Sequence, residues 1–145
     1  MTLRKMSSVL VPVDFSEESM AAIDLALQLA VEPSAVKVLH VLPELSATEP
    51  GVVWDTIDNE SRCTHALEAL RDQLSHPKYQ QLQLGCLVGD PGHAIADEAK
   101  KRNADLIVMP SHGRRGLSRL LLGSVAERVL RLARCNVLIL KPKFE

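Results

Sequence analysis

A chain of 145 residues has room for one domain with a real core and needs no disulfide or metal to hold it. Hydrophobic residues at 46% and charged ones at 24% are an ordinary globular balance, while aromatics at 3% leave the core to Leu, Val, Ile and Ala. The net charge of −1 supplies no basic field for nucleic acid or an anionic membrane surface, and so few aromatic rings make no base-stacking platform.

Arg4 and Lys5 precede the first apolar run, but Ser7 and Asp14 bound that run on either side. The segment reads as neither a signal peptide nor a membrane span. Ser8 to Val13 is nearly continuously apolar and is expected to be a central strand ending at Asp14. Pro12 cannot donate to a ladder, so the strand's last residues should already be leaving regular pairing. Ser16 is placed as an N-cap with Glu17 and Glu18 in the first turn, and Ala22, Leu25, Ala26 and Leu29 carry one helical face to about Glu32.

Ala35 to Leu42 reads as the second strand, with His40 a structural member of it because no second metal-binding side chain stands at ligand spacing. Pro43 to Trp54 is the longest stretch without periodicity, a surface connection or a lid. A helix is expected over Asp55 to His76, with Ile57, Leu67, Leu70 and Leu74 inward, and a third strand over Gln81 to Val88. Asp90 and Pro91 have the chemistry of an N-cap and a first helical residue, and Lys100, Lys101 and Arg102 that of a helix end.

Leu106 to Met109 reads as the fourth strand, Ser124 to Ala133 as the fourth helix and Asn136 to Leu140 as the fifth strand. Strands alternating with helices, joined by right-handed crossovers, define an α/β class: an open parallel sheet of five strands with helices on both faces. Cys63, Cys86 and Cys135 are widely spaced and form no C-x-x-C, which argues for reduced thiols in a cytoplasm.

Between the fourth strand and fourth helix lies S-H-G-R-R-G-L-S-R-L-L-L-G-S-V, residues 111–125. A strand, a glycine-bearing loop and a helix start can present backbone N–H groups to an anion, and Arg114, Arg115 and Arg119 add positive charge. The same glycines also suit plain turns and caps, so both readings stand at this point. Neither G-x-x-x-x-G-K-[ST] nor a first-strand G-x-G-x-x-G is present. Ligands of open parallel sheets bind beyond the carboxyl ends of the strands where strand order reverses. With strands one and four adjacent, the ends near Asp14, Val41 and Met109 to Ser124 would meet there.

End to end, the chain resembles the universal stress protein family. V-P-V-D-F-S at 11–16, L-H-V-L in strand two, G-D-P at 89–91, A-D-L-I-V-M at 104–109, the 111–125 segment and C-N-V-L-I-L-K at 135–141 carry the likeness. The resemblance implies a Rossmann-like sheet of order 3-2-1-4-5 and ATP contacts at Pro12, Val13, Asp14, Val41, Met109, Pro110, Gly113, Arg114, Gly123, Ser124 and Val125. Pro110 stands where the family's nucleotide-binding members carry their first motif glycine, and it lacks an N–H and adds a ring. The resemblance also implies Mg2+ or Mn2+ held mainly through the nucleotide's phosphates, and a homodimer through the last strand at Val137, Leu138, Ile139 and Leu140.

Dedicated catalysis is not indicated. His112 could in principle activate water but is placed as a loop residue bonding locally, and Glu127 serves the helix dipole; Ser118 and Ser124 could accept a phosphoryl group, but nothing in the sequence marks either as activated. Slow ATP hydrolysis or autophosphorylation is the most the residues would allow. The other readings are a dimeric interaction module that has lost nucleotide, and a phospho-acceptor receiver domain. The receiver would need clustered acids after strand one, where Asp14 stands alone.

Overall fold

The structure, a computed structural model, describes residues 4–46, 48, 58–112 and 122–141. Its strands are β1 (Val9–Val13), β2 (Val36–Leu42), β3 (Gln83–Val88), β4 (Leu106–Pro110) and β5 (Asn136–Leu140). The helices are α1 (Glu17–Leu29), α2 (Asn59–Gln73), α3 (Pro91–Lys101) and α4 (Ser124–Leu132). All strand pairs are parallel and the sheet order is β3-β2-β1-β4-β5. This is the expected fold class and order.

Apolar runs, rather than alternation, form the central strands because helices cover both faces. Val9, Val11 and Val13 of β1, Val36 and Val38 of β2 and Val108 of β4 pack with Ile23, Ala26 and Leu70 from α1 and α2. Leu10, Leu39, Ile107 and Met109 point the other way, against Ile95 and Ala99 of α3 and Ala126 and Val129 of α4. Successive side chains of a strand face opposite layers, so one strand feeds both cores.

Element ends differ from the sequence reading where caps intervene. Alpha1 stops at Leu29, not Glu32, since Ala30 turns extended and bridges to Met6. Alpha2 starts at Asn59, not Asp55, because Asp58 is extended (φ −129°, ψ 162°) and its side chain accepts from the Ser61 amide. It also ends at Gln73, with Leu74 as its C-cap, and His76 instead caps a short 3-10 turn over Pro77–Tyr79. Ile57 and most of the Pro43 to Trp54 stretch lie outside the described residues.

The feature that positions the site is an unequal ladder around β1. Beta1 pairs with β2 as far as Val13 opposite His40, but with β4 only at Val9–Leu106 and Leu10–Ile107. Pro12 therefore leaves regular pairing on one side and keeps register on the other. Both strands run on beyond the last shared pair, β4 as far as Pro110, which is held instead by β5 opposite Leu140. A gap opens at the carboxyl ends, where strand order reverses.

Candidate functional site

The β1 exit is built by a short polar network. Asp14 Oδ1 accepts from the Ser16 amide (3.1 Å) and from Ser19 Oγ (2.7 Å), and the Asp14 amide donates to Ser19 Oγ (3.1 Å). Ser16 caps α1 by accepting from the Ser19 amide (3.2 Å), so Asp14 and Ser16 together turn the strand into the helix. Between them Phe15 sits at φ 68°, a left-handed conformation that a bulky side chain seldom adopts. Its ring meets His40 edge-on with centroids 4.8 Å apart, and His40 Nδ1 bonds the Val13 carbonyl at 2.8 Å. His40 thus has the structural part expected of it, and it also lines the cavity at the strand ends.

The β4 exit is tied down as tightly. The Ser111 amide donates to the Leu140 carbonyl (2.9 Å) and the Ser111 carbonyl accepts from the Gly123 amide (2.8 Å). Ser111 Oγ and His112 Nδ1 lie 3.0 Å apart, both residues buried, which gives His112 a local bonding role. A Cβ on Gly123 would come within 2.8 Å of the Ser111 carbonyl oxygen and 3.3 Å of the His112 Cα. Gly123 has an ordinary φ of −62°. Glycine is required here by close backbone approach, and its N–H serves Ser111. Gly123 nonetheless lines the cavity beside Ser124 and Val125.

The amides that remain belong to the next residues. The Glu127 amide bonds the Gly123 carbonyl (2.9 Å), closing the first turn of α4 and leaving Ser124, Val125 and Ala126 as the helix's orphan donors. The N-termini of α1, α2 and α3 are capped by the side chains of Ser16, Asp58 and Asp90; that of α4 has no side-chain cap. The start of α4 therefore carries a partial positive charge and N–H groups that no side chain caps among the described residues. Glu127, in that first turn, is already paired with Arg131 at 2.9 Å.

Alpha3 closes the far wall. Asp90 caps it through the His93 amide (3.1 Å), meets His93 Nδ1 at 2.7 Å, and binds Arg128 of α4 at 2.8 Å. The His93 ring and amide, with Arg128 behind them, hold the Asp90 carboxyl down at about 2. A Cβ on Gly92 would strike the Arg128 side chain at 2.6 Å, so that glycine lets the two helix starts meet.

These pieces enclose a cavity of about 420 Å³. It is lined by Pro12, Val13, Asp14, Val41, Met109, Pro110, Gly123, Ser124 and Val125, the sequence-derived set in its described part. Gly113 and Arg114, with Arg115, Gly116, Ser118 and Arg119, lie outside the described residues. Sequence reasoning missed Ser19, Leu39, Pro91, Ile95, Ser111 and Ala126 as lining residues, and it gave His40 and His112 no place in the wall. Pro91 had a signal as the first residue of a capped helix. Leu39 and Ile95 had none, since an apolar residue facing a cavity has the same periodicity as one facing core. Among the described residues no group of three or more His, Cys, Asp or Glu could hold a metal ion, and no helix is long and apolar enough to cross a membrane.

An open parallel sheet with a cavity at its switch point and an uncapped helix start beside it defines a Rossmann-like α/β domain with a crevice at the carboxyl ends of its strands. The model of the universal stress protein family matches residues 6–141, and the chain belongs to that family. It is 36% identical to universal stress protein MJ0531 of Methanocaldococcus jannaschii over 94% of this chain and 84% of that one. It is 33% identical to YxiE of Bacillus subtilis over 93% of this chain and 99% of the relative. Among solved structures, protein MJ0577 superposes with a TM-score of 0.75 at 27% identity, covering 99% of this chain and 100% of that chain. UspA from Lactobacillus plantarum gives 0.73 at 27% identity, covering 94% and 99%.

Proposed function

We propose that this protein is a nucleotide-binding regulator of the stress response that holds ATP in the crevice between β1 and β4. The observation that carries the reading is the uncapped start of α4, with the Ser124, Val125 and Ala126 amides at a cavity of about 420 Å³. That volume lies in the range of small-molecule sites. Phosphates at a helix N-terminus satisfy orphan donors and meet favourable charge. Met109, Val41 and Pro12 would face the base and ribose, and Gly113 and Arg114 would extend the phosphate side. A divalent cation would be held through the phosphates. A universal stress protein crystallised in complex with cAMP, 24% identical with a TM-score of 0.64, shares the fold.

Gly123→Val is a poor test, because its side chain would collide with the Ser111 backbone whether or not a ligand binds. Ser124 is exposed and is the first residue of α4. Ser124→Asp adds a negative charge that the helix dipole welcomes, by about 0.3–1 kcal/mol, while repelling phosphate. A unit charge about 6 Å from a phosphate at an effective dielectric near 20 costs about 3 kcal/mol, a loss of about 100-fold in affinity. Calorimetric titration with MgATP should show saturable binding to the wild type and a Kd weaker by about 10- to 100-fold in Ser124→Asp, with no loss of thermal stability. Equal binding to both proteins refutes phosphate placement at α4.

Binding to neither favours a second reading, a dimeric interaction module without nucleotide. Pro110 is the observation behind it: the ring lines the cavity wall and offers no N–H. Both readings include a cytoplasmic homodimer through β5. Beta5 pairs only with β4 among the described residues, and Val137, Leu138, Ile139 and Leu140 are each half-buried. A bare apolar edge invites a second strand. Sedimentation should give a dimer; a clean monomer at micromolar concentration overturns it.

A further inference from the structure

The three thiols fall on opposite faces of the sheet. Cys135 packs with Leu10, Ile107 and Val129 on the side covered by α3 and α4. Cys86 follows Leu84 by two residues on β3, and Leu84 packs with the opposite cluster, so Cys86 shares that face. Cys63 reaches the same face from α2, and its sulfur lies 2.6 Å from that of Cys86. Spacing in the chain hid this pairing, because the two residues stand on separate elements.

We propose that Cys63 and Cys86 are a peroxide-oxidisable pair, joined reversibly by one intramolecular disulfide that fastens the start of α2 to the edge strand β3. Little movement separates the sulfurs from the ~2 Å of a bond. The placement also gives the bond a mechanical consequence. Leu70, the one fully buried residue of α2, lies toward the far end of the helix, while near its start Arg62 Nη2 donates to the Pro43 carbonyl, just past β2, at 2.9 Å. A covalent link at Cys63 would fix the end of α2 that packing leaves loosest.

The chemistry divides between the two sulfurs. Burial, with Cys63 close beside it, pushes the Cys86 thiol up to about 12, so Cys86 keeps its proton. Cys63 is then the sulfur that attacks hydrogen peroxide: its S–O bond forms as the O–O bond breaks, giving a sulfenic acid and water. The Cys86 sulfur displaces the sulfenic hydroxyl, which leaves as a second water carrying the Cys86 proton. Two thiols and one peroxide become one disulfide and two waters, with both thiols oxidised and the peroxide reduced.

The test is thiol titration and non-reducing peptide mapping of the full chain before and after hydrogen peroxide. The chain's three thiols should fall to one, with Cys63 and Cys86 in a single linked peptide pair, a mass loss of about 2 Da, and recovery of all three on adding dithiothreitol. Cys135→Ser should keep the link; Cys63→Ser and Cys86→Ser should each abolish it. The wild-type map decides the matter even where a variant folds poorly. Three titratable thiols surviving peroxide, a link to Cys135, a link between two chains, or conversion of Cys63 to sulfinic acid would each overturn the proposal.

Discussion

Replacing Gly123 by alanine separates two reasons for a glycine at the head of α4. If the residue is glycine only so that a ligand can approach, an added methyl should leave the unliganded protein as stable as before. The packing predicts otherwise. The new Cβ would stand 2.8 Å from the Ser111 carbonyl oxygen and 3.3 Å from the His112 Cα, both backbone atoms. Ser111 cannot yield easily, since its amide is held by Leu140 and its carbonyl by Gly123 itself. Relief requires α4 to back away by about half an ångström, which costs about 1–3 kcal/mol in overpacking and weakens one hydrogen bond by up to ~1 kcal/mol. Alanine accepts the native φ and ψ, so reduced freedom of the unfolded chain returns about 0.4–1 kcal/mol. The net is a destabilisation of about 1–3 kcal/mol, read directly in urea denaturation or as a Tm lower by roughly 3–10 °C in calorimetry. Gly85→Ala is the control: its Cβ would lie 2.7 Å from Lys37 Cε, the far end of a flexible side chain. It should cost about 1 kcal/mol or less, because the Lys37 stem can shift where backbone cannot, at the expense of part of its 3.2 Å ion pair with Glu98. A Gly123→Ala protein as stable as wild type, or one less damaged than Gly85→Ala, refutes the reasoning.

Other expectations follow from the same contacts. Ser19 is 1% exposed and its hydroxyl both accepts from the Asp14 amide and donates to the Asp14 carboxylate. Ser19→Ala should lower stability by about 1–3 kcal/mol in urea denaturation, and a change under about 0.5 kcal/mol would contradict the network. Asp90 is held at about 2, below its ordinary 3.8, so the stability it lends is complete above about pH 4 and disappears as pH falls toward 2. Asp90→Asn should therefore show a shallower decline of Tm across that window than the wild type; identical slopes would show that the His93 and Arg128 contacts carry no linkage. Leu70 is 1% exposed in the core between α2 and the sheet, and Leu70→Ala should cost about 2–5 kcal/mol by the same denaturation assay.

Local chemistry determined most of the fold. The apolar runs at Val9–Val13 and Leu106–Pro110 marked doubly covered strands, Val36–Leu42 marked a strand that alternates in part around Lys37, and Ser16 and Asp90 marked two helix starts by the hydrogen bonds their side chains can make. The alternation of strand and helix then prescribed a parallel sheet, and the 111–125 segment indicated where its crevice should open. Tertiary structure alone decided the rest, because it depends on atoms distant in the chain. That Gly123 is needed for Ser111, that the free amides start at Ser124, and that His40 supports the rim through Val13 are facts of close approach between elements. The β1–β4 ladder stopping at Leu10–Ile107, and the meeting of Cys63 with Cys86, are likewise set by how layers pack. Periodicity reports which face of an element is apolar; it carries no record of what stands opposite.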